Sequence, residues 1–114
     1  MQVEMWTYRG AVDPVDELDL TDFEVEATDG EVGKIVDAAY ELGASWLVVD
    51  TGPWILGKKV LLPAGTVKSI DPEARQVFVD RSRDEIKSAP EHDPSGYAEQ
   101  EYRLALADYY ARFY

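Results

Sequence analysis

One serine and one histidine are the residues of this chain that could perform nucleophilic chemistry. Ser82 is the candidate nucleophile, and His92 is the only histidine in the sequence. A serine nucleophile needs a base that a third group holds in place. Ser82 instead opens the sequence Ser-Arg-Asp-Glu, a pattern typical of a helix N-terminal cap. We therefore interpret Ser82 as a cap and His92 as an exposed linker residue, and we assign no catalytic residues.

The carboxylates form a second set that could do chemistry. General acid–base catalysis requires a desolvated carboxyl group in a cleft. The two candidates, Asp37 and Asp50, fall in or at the ends of predicted strands, where we expect them to fix turns. The chain has no cysteine and a single histidine, so no zinc or iron site and no cofactor is expected. Weak Ca²⁺ or Mg²⁺ binding by the acidic residues stays an open alternative.

The formal net charge is −12, and it is unevenly distributed along the chain. Residues 1–31 contain ten acidic residues and a single basic residue, Arg9. Such a surface repels phosphate backbones and anionic lipids, so direct binding of nucleic acid is not expected. Two interpretations stay open: a solubilising face, or a docking surface for a basic partner.

The length and the hydropathy pattern favour one domain. A chain of 114 residues is long enough to bury its own core without disulfides or metal. No apolar run approaches the ~20 residues that span a bilayer. Residues 1–6 lack the basic and apolar regions of a signal peptide. We expect a cytoplasmic protein without a membrane span.

The remaining elements follow from turn patterns. Asp29-Gly30 predicts a hairpin between strands 23–28 and 33–40, and Gly33 inside the second strand marks a bulge or a close backbone approach. An edge strand is predicted at 3–8, and further strands are predicted at 46–50, 58–63, 65–70 and 75–80. A short helix over 82–88 ends before Pro90, and a second helix runs from Tyr97 towards Tyr114. The order of short strands favours a small antiparallel barrel.

The ordered motifs resemble the PRC-barrel family, which is named for the cytoplasmic domain of the photosynthetic reaction-centre H subunit. The same domain type forms the C-terminal part of a ribosome maturation factor. The resemblance covers roughly residues 22–90 and rests on these segments: Asp29-Gly30-Glu31 with Gly33-Lys34-Ile35-Val36-Asp37, Trp46-Leu47-Val48-Val49-Asp50-Thr51-Gly52, Lys58-Lys59-Val60-Leu61-Leu62-Pro63, and Val77-Phe78-Val79-Asp80 with the segment 81–90.

This resemblance implies a mainly β fold: a small antiparallel PRC-type β-barrel with a short helix and a C-terminal helical tail. It also implies a non-catalytic module for protein–protein interaction or assembly. The alternatives are an RNA- or ribosome-associated accessory factor and, less favoured, a small hydrolase. We predict an acidic N-terminal extension over 1–21, the PRC-barrel-like domain over 22–90, and a linker with an amphipathic helix over 91–114.

Two apolar groups are candidate interaction sites. Trp54, Ile55 and Leu56 lie between Pro53 and Gly57 in a predicted loop. This loop either folds over the open end of the barrel or meets another chain. The C-terminal helix carries an apolar stripe that either docks on its own domain or forms an oligomer contact. The stripe consists of Tyr102, Leu106, Tyr109 and Phe113. We expect a protein partner and a homo-oligomer.

Overall fold

The strands form one open, curled, six-stranded sheet with two helices. A computed structural model of the chain describes residues 5–8, 19–41, 44–52, 59–89 and 99–114. The strands are β1 (Glu24–Ala27), β2 (Gly30–Glu41), β3 (Ala44–Asp50), β4 (Lys59–Pro63), β5 (Val67–Asp71) and β6 (Gln76–Val79). The helices are α1 (Arg83–Lys87) and α2 (Glu99–Ala111). The sequence predicted these six strands and two helices in this order, whereas the edge strand predicted over 3–8 is not formed at residues 5–8.

The spatial order of the strands is β4-β3-β2-β1-β6-β5. The pairs from β1 to β4 and the pair β5–β6 are antiparallel, whereas β1 and β6 are parallel. The prediction of a purely antiparallel sheet is therefore wrong at this one pair. Turn residues predict pairing between neighbours in sequence, but β1 and β6 are separated by four other strands along the chain, and no local pattern specifies their direction.

A buried corner brings the two edges of the sheet together. The edge strands β4 and β5 are joined only by a 3₁₀ turn, Ala64–Thr66, whose residues are all buried. The Thr66 hydroxyl donates to the Pro63 carbonyl over 2.8 Å, and the Gly65 N–H donates to the Met5 carbonyl over 2.8 Å. Because consecutive strands occupy opposite edges, the sheet must roll up. No ladder joins β4 to β5 among the described residues, so closure into a barrel is not confirmed.

The core lies inside this rolled sheet. Alternation along β1 and β6 turns Val25 and Val77 inward, and each is fully buried. The core also takes residues from both ends of the chain: Met5 is 8% exposed, and Leu20, Leu106 and Tyr110 are 0% exposed. The domain bounds predicted from the sequence stay a prediction, although these terminal residues belong to the same hydrophobic cluster as the strands.

The short helix α1 begins with the predicted cap. The Glu85 N–H donates to the Ser82 hydroxyl over 3.1 Å, and the Ser82 N–H donates to a Glu85 carboxylate oxygen over 2.7 Å. This reciprocal pair is a capping box, which satisfies two backbone donors at the start of the helix. The structural role assigned to Ser82 is confirmed.

Candidate functional site

A surface cleft of about 580 Å³ lies where the first hairpin crosses the end of β3. At its base, Gly33 passes so close to β3 that a Cβ atom would stand 2.0 Å from the Asp50 carbonyl oxygen. The predicted close approach at Gly33 is therefore confirmed. In addition, the β1–β2 register shifts between Val25 and Glu26, which is the irregularity expected of a bulge.

The rim of the cleft carries charged side chains of both signs. Three carboxylates and two cations come from the approach to β1, from β2, from the end of β3 and from α1. Apart from Arg83, which is half-buried, these side chains are exposed. Exposed charges of mixed sign suit recognition of a complementary charged surface. The five residues are Asp22, Glu31, Lys34, Asp50 and Arg83.

Local hydrogen bonds fix the walls of this cleft. The Gly52 N–H donates to the Asp50 carboxylate over 3.0 Å, and Gly52 has a φ of +63°, a value that glycine adopts without strain. On the opposite wall, the Arg83 N–H donates to the Asp29 carboxylate over 2.9 Å and so ties α1 to the hairpin turn. The expectation that Asp50 fixes a turn is confirmed.

The other chemical candidates are dispersed. Asp37 is exposed, and its carboxylate accepts the Ala38 N–H over 2.9 Å. His92 lies outside the described residues. Within the described ranges, no group of three or more histidine, cysteine, aspartate or glutamate side chains could hold a metal ion. The Ser82 hydroxyl accepts the Glu85 N–H in the capping box of α1.

The predicted interaction residues fall into two groups. Trp54, Ile55 and Leu56 lie outside the described residues, so their role stays a prediction. The stripe on α2 packs on its own chain: Tyr102 is 9% exposed and Leu106 is fully buried. Burial raises the pKa of Tyr102 to about 12. The burial of Tyr102 and Leu106 agrees with docking of the stripe on its own domain rather than with an oligomer contact.

The C-terminal end of α2 and the residues after it attach to the segment around α1. The Tyr109 hydroxyl donates to the Glu85 carbonyl over 2.5 Å. The Arg81 guanidinium lies over the Phe113 ring at 4.7 Å and over the Tyr114 ring at 4.9 Å. The Tyr114 hydroxyl also donates to the Asp80 carboxylate. The predicted residues Tyr109 and Phe113 are thus brought together, with ring centroids 5.5 Å apart, and both are half-buried.

Sequence reasoning missed two residues. Tyr110 is fully buried, and its spacing from Tyr102 and Leu106, which is i, i+4, i+8, is the pattern that identifies it. Burial raises its pKa above the ordinary tyrosine value. Phe78 is half-buried on β6 and is not among the apolar side chains that pack against the core cluster. Its outward position follows from the alternation of Val77, Phe78 and Val79.

The fold and the cleft define a small, mainly β domain with a mixed sheet and two helices. No family model matches the chain, and no curated protein matches it. One matching solved structure is the crystal structure of a putative 16S ribosomal RNA processing protein, RimM, from Pseudomonas aeruginosa. The sequence identity is 28%, the TM-score is 0.47, and the match covers 62% of this chain. It covers 49% of the other protein, so the chain spans about half of that length. A TM-score of this size assigns neither fold nor function.

The described part of the chain contains no helix that is long and apolar enough to cross a membrane.

Proposed function

We propose that this chain is a PRC-barrel-type domain that acts in the cytoplasm as a non-catalytic module for protein binding and assembly. The PRC-barrel assignment is supported by the ordered motifs between residues 29 and 90. It is also supported by the buried corner Ala64–Thr66, which joins strands at opposite edges of one sheet. The predicted self-association belongs to the same proposal, with the loop Trp54-Ile55-Leu56 as its candidate contact.

The cleft beside Gly33 is the observation that carries the binding function. Apart from the half-buried Arg83, its charged side chains are exposed. Its walls are held by hydrogen bonds from the Gly52 and Arg83 N–H groups to the Asp50 and Asp29 carboxylates. A pre-formed cleft binds without the entropic cost of ordering loops. Charges of both signs, placed on different elements, select a partner by electrostatic complementarity. These features support recognition of a charged protein surface.

The second candidate function is an RNA- or ribosome-associated accessory factor. The name of the matched RimM structure, a 16S ribosomal RNA processing protein, agrees with this candidate better than with the first. The net charge of −12 opposes direct contact with RNA. The negative charge would not repel a protein component of a ribonucleoprotein particle, so an accessory factor would join RNA assemblies through such a protein. The two candidates therefore differ in whether the complex captured with the chain depends on RNA.

Affinity capture with and without ribonuclease separates the two candidates. The tagged chain is expressed in its native cells, and the captured proteins and RNA are quantified. A protein-binding module retains its partner after ribonuclease treatment, whereas an accessory factor of RNA assemblies loses its ribosomal proteins and ribosomal RNA. The matched variants exchange charges without changing the net charge: Glu31→Lys with Lys34→Glu at the cleft, and Asp108→Arg on α2 with Arg112→Asp directly after it. Only the cleft exchange is expected to release the partner. Equal capture by all three proteins would contradict the proposal.

A further inference from the structure

The outward face of β2, β1, β6 and β5 carries two ordered rows of side chains. Strand register places Glu26 opposite Glu31 on one side and opposite Phe78 on the other, and Phe78 opposite Ser69. We call these four residues the Phe78 row. The next row across the same strands consists of Lys34, Glu24, Gln76 and Asp71. Both rows point away from the core, because the alternating residues Val25 and Val77 are fully buried.

The Phe78 row combines an aromatic ring with two carboxylates. Phe78 and Glu26 are half-buried, Glu31 is exposed, and Phe78 is not among the apolar side chains that pack against the core cluster. Glu26 lies on the adjacent strand, about 4.8 Å away in the direction of the ladder, and Glu31 lies one strand further. Like charges directly opposite each other destabilise an antiparallel pair. Within the described ranges, neither Glu26 nor Glu31 forms an ion pair. A cation placed on this row would relieve the repulsion between them.

The segments outside the described residues contain two basic residues, Arg9 and Lys58, and these lie in separate segments. Residues 9–18 carry three acidic residues against Arg9, residues 53–58 carry Lys58 as their one charge, and residues 91–98 carry two acidic residues and no lysine or arginine, so none of them is a basic segment. A second copy of the chain has a net charge of −12 and meets the same repulsion. A nucleic acid is excluded for the same reason. Charge complementarity therefore points to a basic segment of another protein.

We propose that the Phe78 row docks an arginine side chain from a basic segment of a partner protein. A planar guanidinium stacks on an aromatic ring and pairs with a carboxylate at the same time, which a lysine ammonium does less well. Phe78 supplies the ring, and Glu26 and Glu31 supply the negative charge. This inference deepens the proposed function and rests on it, since it assigns a partner chemistry to a surface that adjoins the cleft and shares Glu31 with it.

The test is titration of the purified full chain with two synthetic peptides. One alternates arginine and serine, and the other alternates lysine and serine at the same length. Affinity is measured by calorimetry at about 0.05 M and about 0.15 M salt, because exposed charge contacts are screened. We expect the arginine peptide to bind more tightly than the lysine peptide, and binding of both to weaken with salt.

Three variants locate the binding. Glu26→Gln with Glu31→Gln is expected to lower the affinity for the arginine peptide about tenfold, and its melting temperature should not fall, because it removes a repulsion. Phe78→Leu should lower the affinity for the arginine peptide about threefold and the affinity for the lysine peptide by less. The control, Glu73→Gln with Asp108→Asn, loses the same charge away from the row and should bind within about twofold of wild type.

Each contrary result has a definite meaning. Equal losses in the control and in the Glu26/Glu31 variant would reduce the binding to net charge and overturn the inference. An unchanged affinity in Phe78→Leu would also overturn it. If the Glu26/Glu31 variant changed the association state of the chain, the occupant would be a second copy instead. If neither peptide bound while ribonuclease-resistant capture of a protein persisted, the inference would fail and the proposed function would stand.

Discussion

The Asp50 carbonyl oxygen lies 2.0 Å from the position that a Cβ atom on Gly33 would occupy, and the Asp50 carbonyl carbon lies 2.8 Å from it. The two strands thus meet at van der Waals distance only because residue 33 has no side chain. This contact brings β2 against the end of β3, and the cleft opens beside it. The glycine is therefore a structural requirement of the candidate site.

Substitution of Gly33 tests that requirement. We expect Gly33→Val to lower the free energy of unfolding by about 1–3 kcal/mol, because a rigid backbone must move to admit the side chain. Gly33→Ala should already be destabilising, since the clash begins at Cβ. The measurement is urea denaturation followed by circular dichroism.

Gly52→Ala is the matched control, because a Cβ at Gly52 meets no atom within 4 Å. Its cost is limited to the strain of φ +63°, about 1 kcal/mol. If Gly33→Ala were as stable as wild type, the close approach would not constrain the fold.

Helix α2 offers a second comparison within one element. Leu106 is fully buried, whereas Leu104 is 62% exposed on the same helix. We expect Leu106→Ala to cost about 2–5 kcal/mol of unfolding free energy and Leu104→Ala less than about 0.5 kcal/mol. Thermal and urea melts of the two variants provide the measurement.

The same packing bears on removal of the tail. The sequence predicts that deletion of residues 97–114 leaves a folded barrel but changes its association or solubility. Tyr102, Leu106 and Tyr110 belong to the core cluster, so we now expect the deletion to lower stability by more than Leu106→Ala does. A truncated chain with wild-type stability, or equal melts for the two leucine variants, would contradict the packing of α2.

The buried tyrosines predict a loss of stability in alkali. Burial raises the pKa of Tyr102 from 10.0 to about 12. Below pH 10 the Tyr102 hydroxyl is protonated in both the folded and the unfolded chain, so its full contribution to the free energy of unfolding is present. Between pH 10 and 12 the unfolded chain loses the proton first, so the free energy of unfolding falls by up to roughly 1.4 kcal/mol per pH unit for this group.

Tyr102→Phe tests the assignment, because it removes the ionising group and keeps the ring. Urea denaturation from pH 8 to 11 should show a shallower decline above pH 10 in the variant than in wild type. Burial also raises the pKa of Tyr110, so part of the decline persists in the variant. Identical pH profiles would show that Tyr102 does not keep its proton in the folded state.

Local patterns in the sequence predicted the local structure well. The capping box of Ser82 and Glu85 and the first hairpin depend on residues close in sequence, and both are confirmed. The turn of the hairpin lies at Thr28-Asp29, one residue before the predicted Asp29-Gly30, and Gly30 begins β2. Gly33 was identified because a glycine inside an apolar strand often marks a bulge or a close approach of another backbone. The parallel pairing of β1 with β6 was missed because contacts between distant segments leave no local pattern.

The candidate site was harder to predict than the fold. Each charged residue of the cleft looks like an ordinary surface residue in sequence, and only the folded chain brings Asp22, Asp50 and Arg83 to one rim. Phe78 was assigned to a strand, but its pairing with Glu26 depends on the missed β1–β6 register. Tyr110 was missed because the apolar stripe was traced through Tyr109.

The central claim, that the chain binds protein and does not bind RNA directly, is tested most directly by titrating labelled 16S ribosomal RNA with the purified chain at about 0.15 M salt. Filter binding measures the affinity, and repeated titrations at higher salt measure its electrostatic part. With a net charge of −12, we predict no measurable binding at micromolar protein. Micromolar affinity that weakens as salt is added would contradict the account and favour an RNA-associated accessory factor.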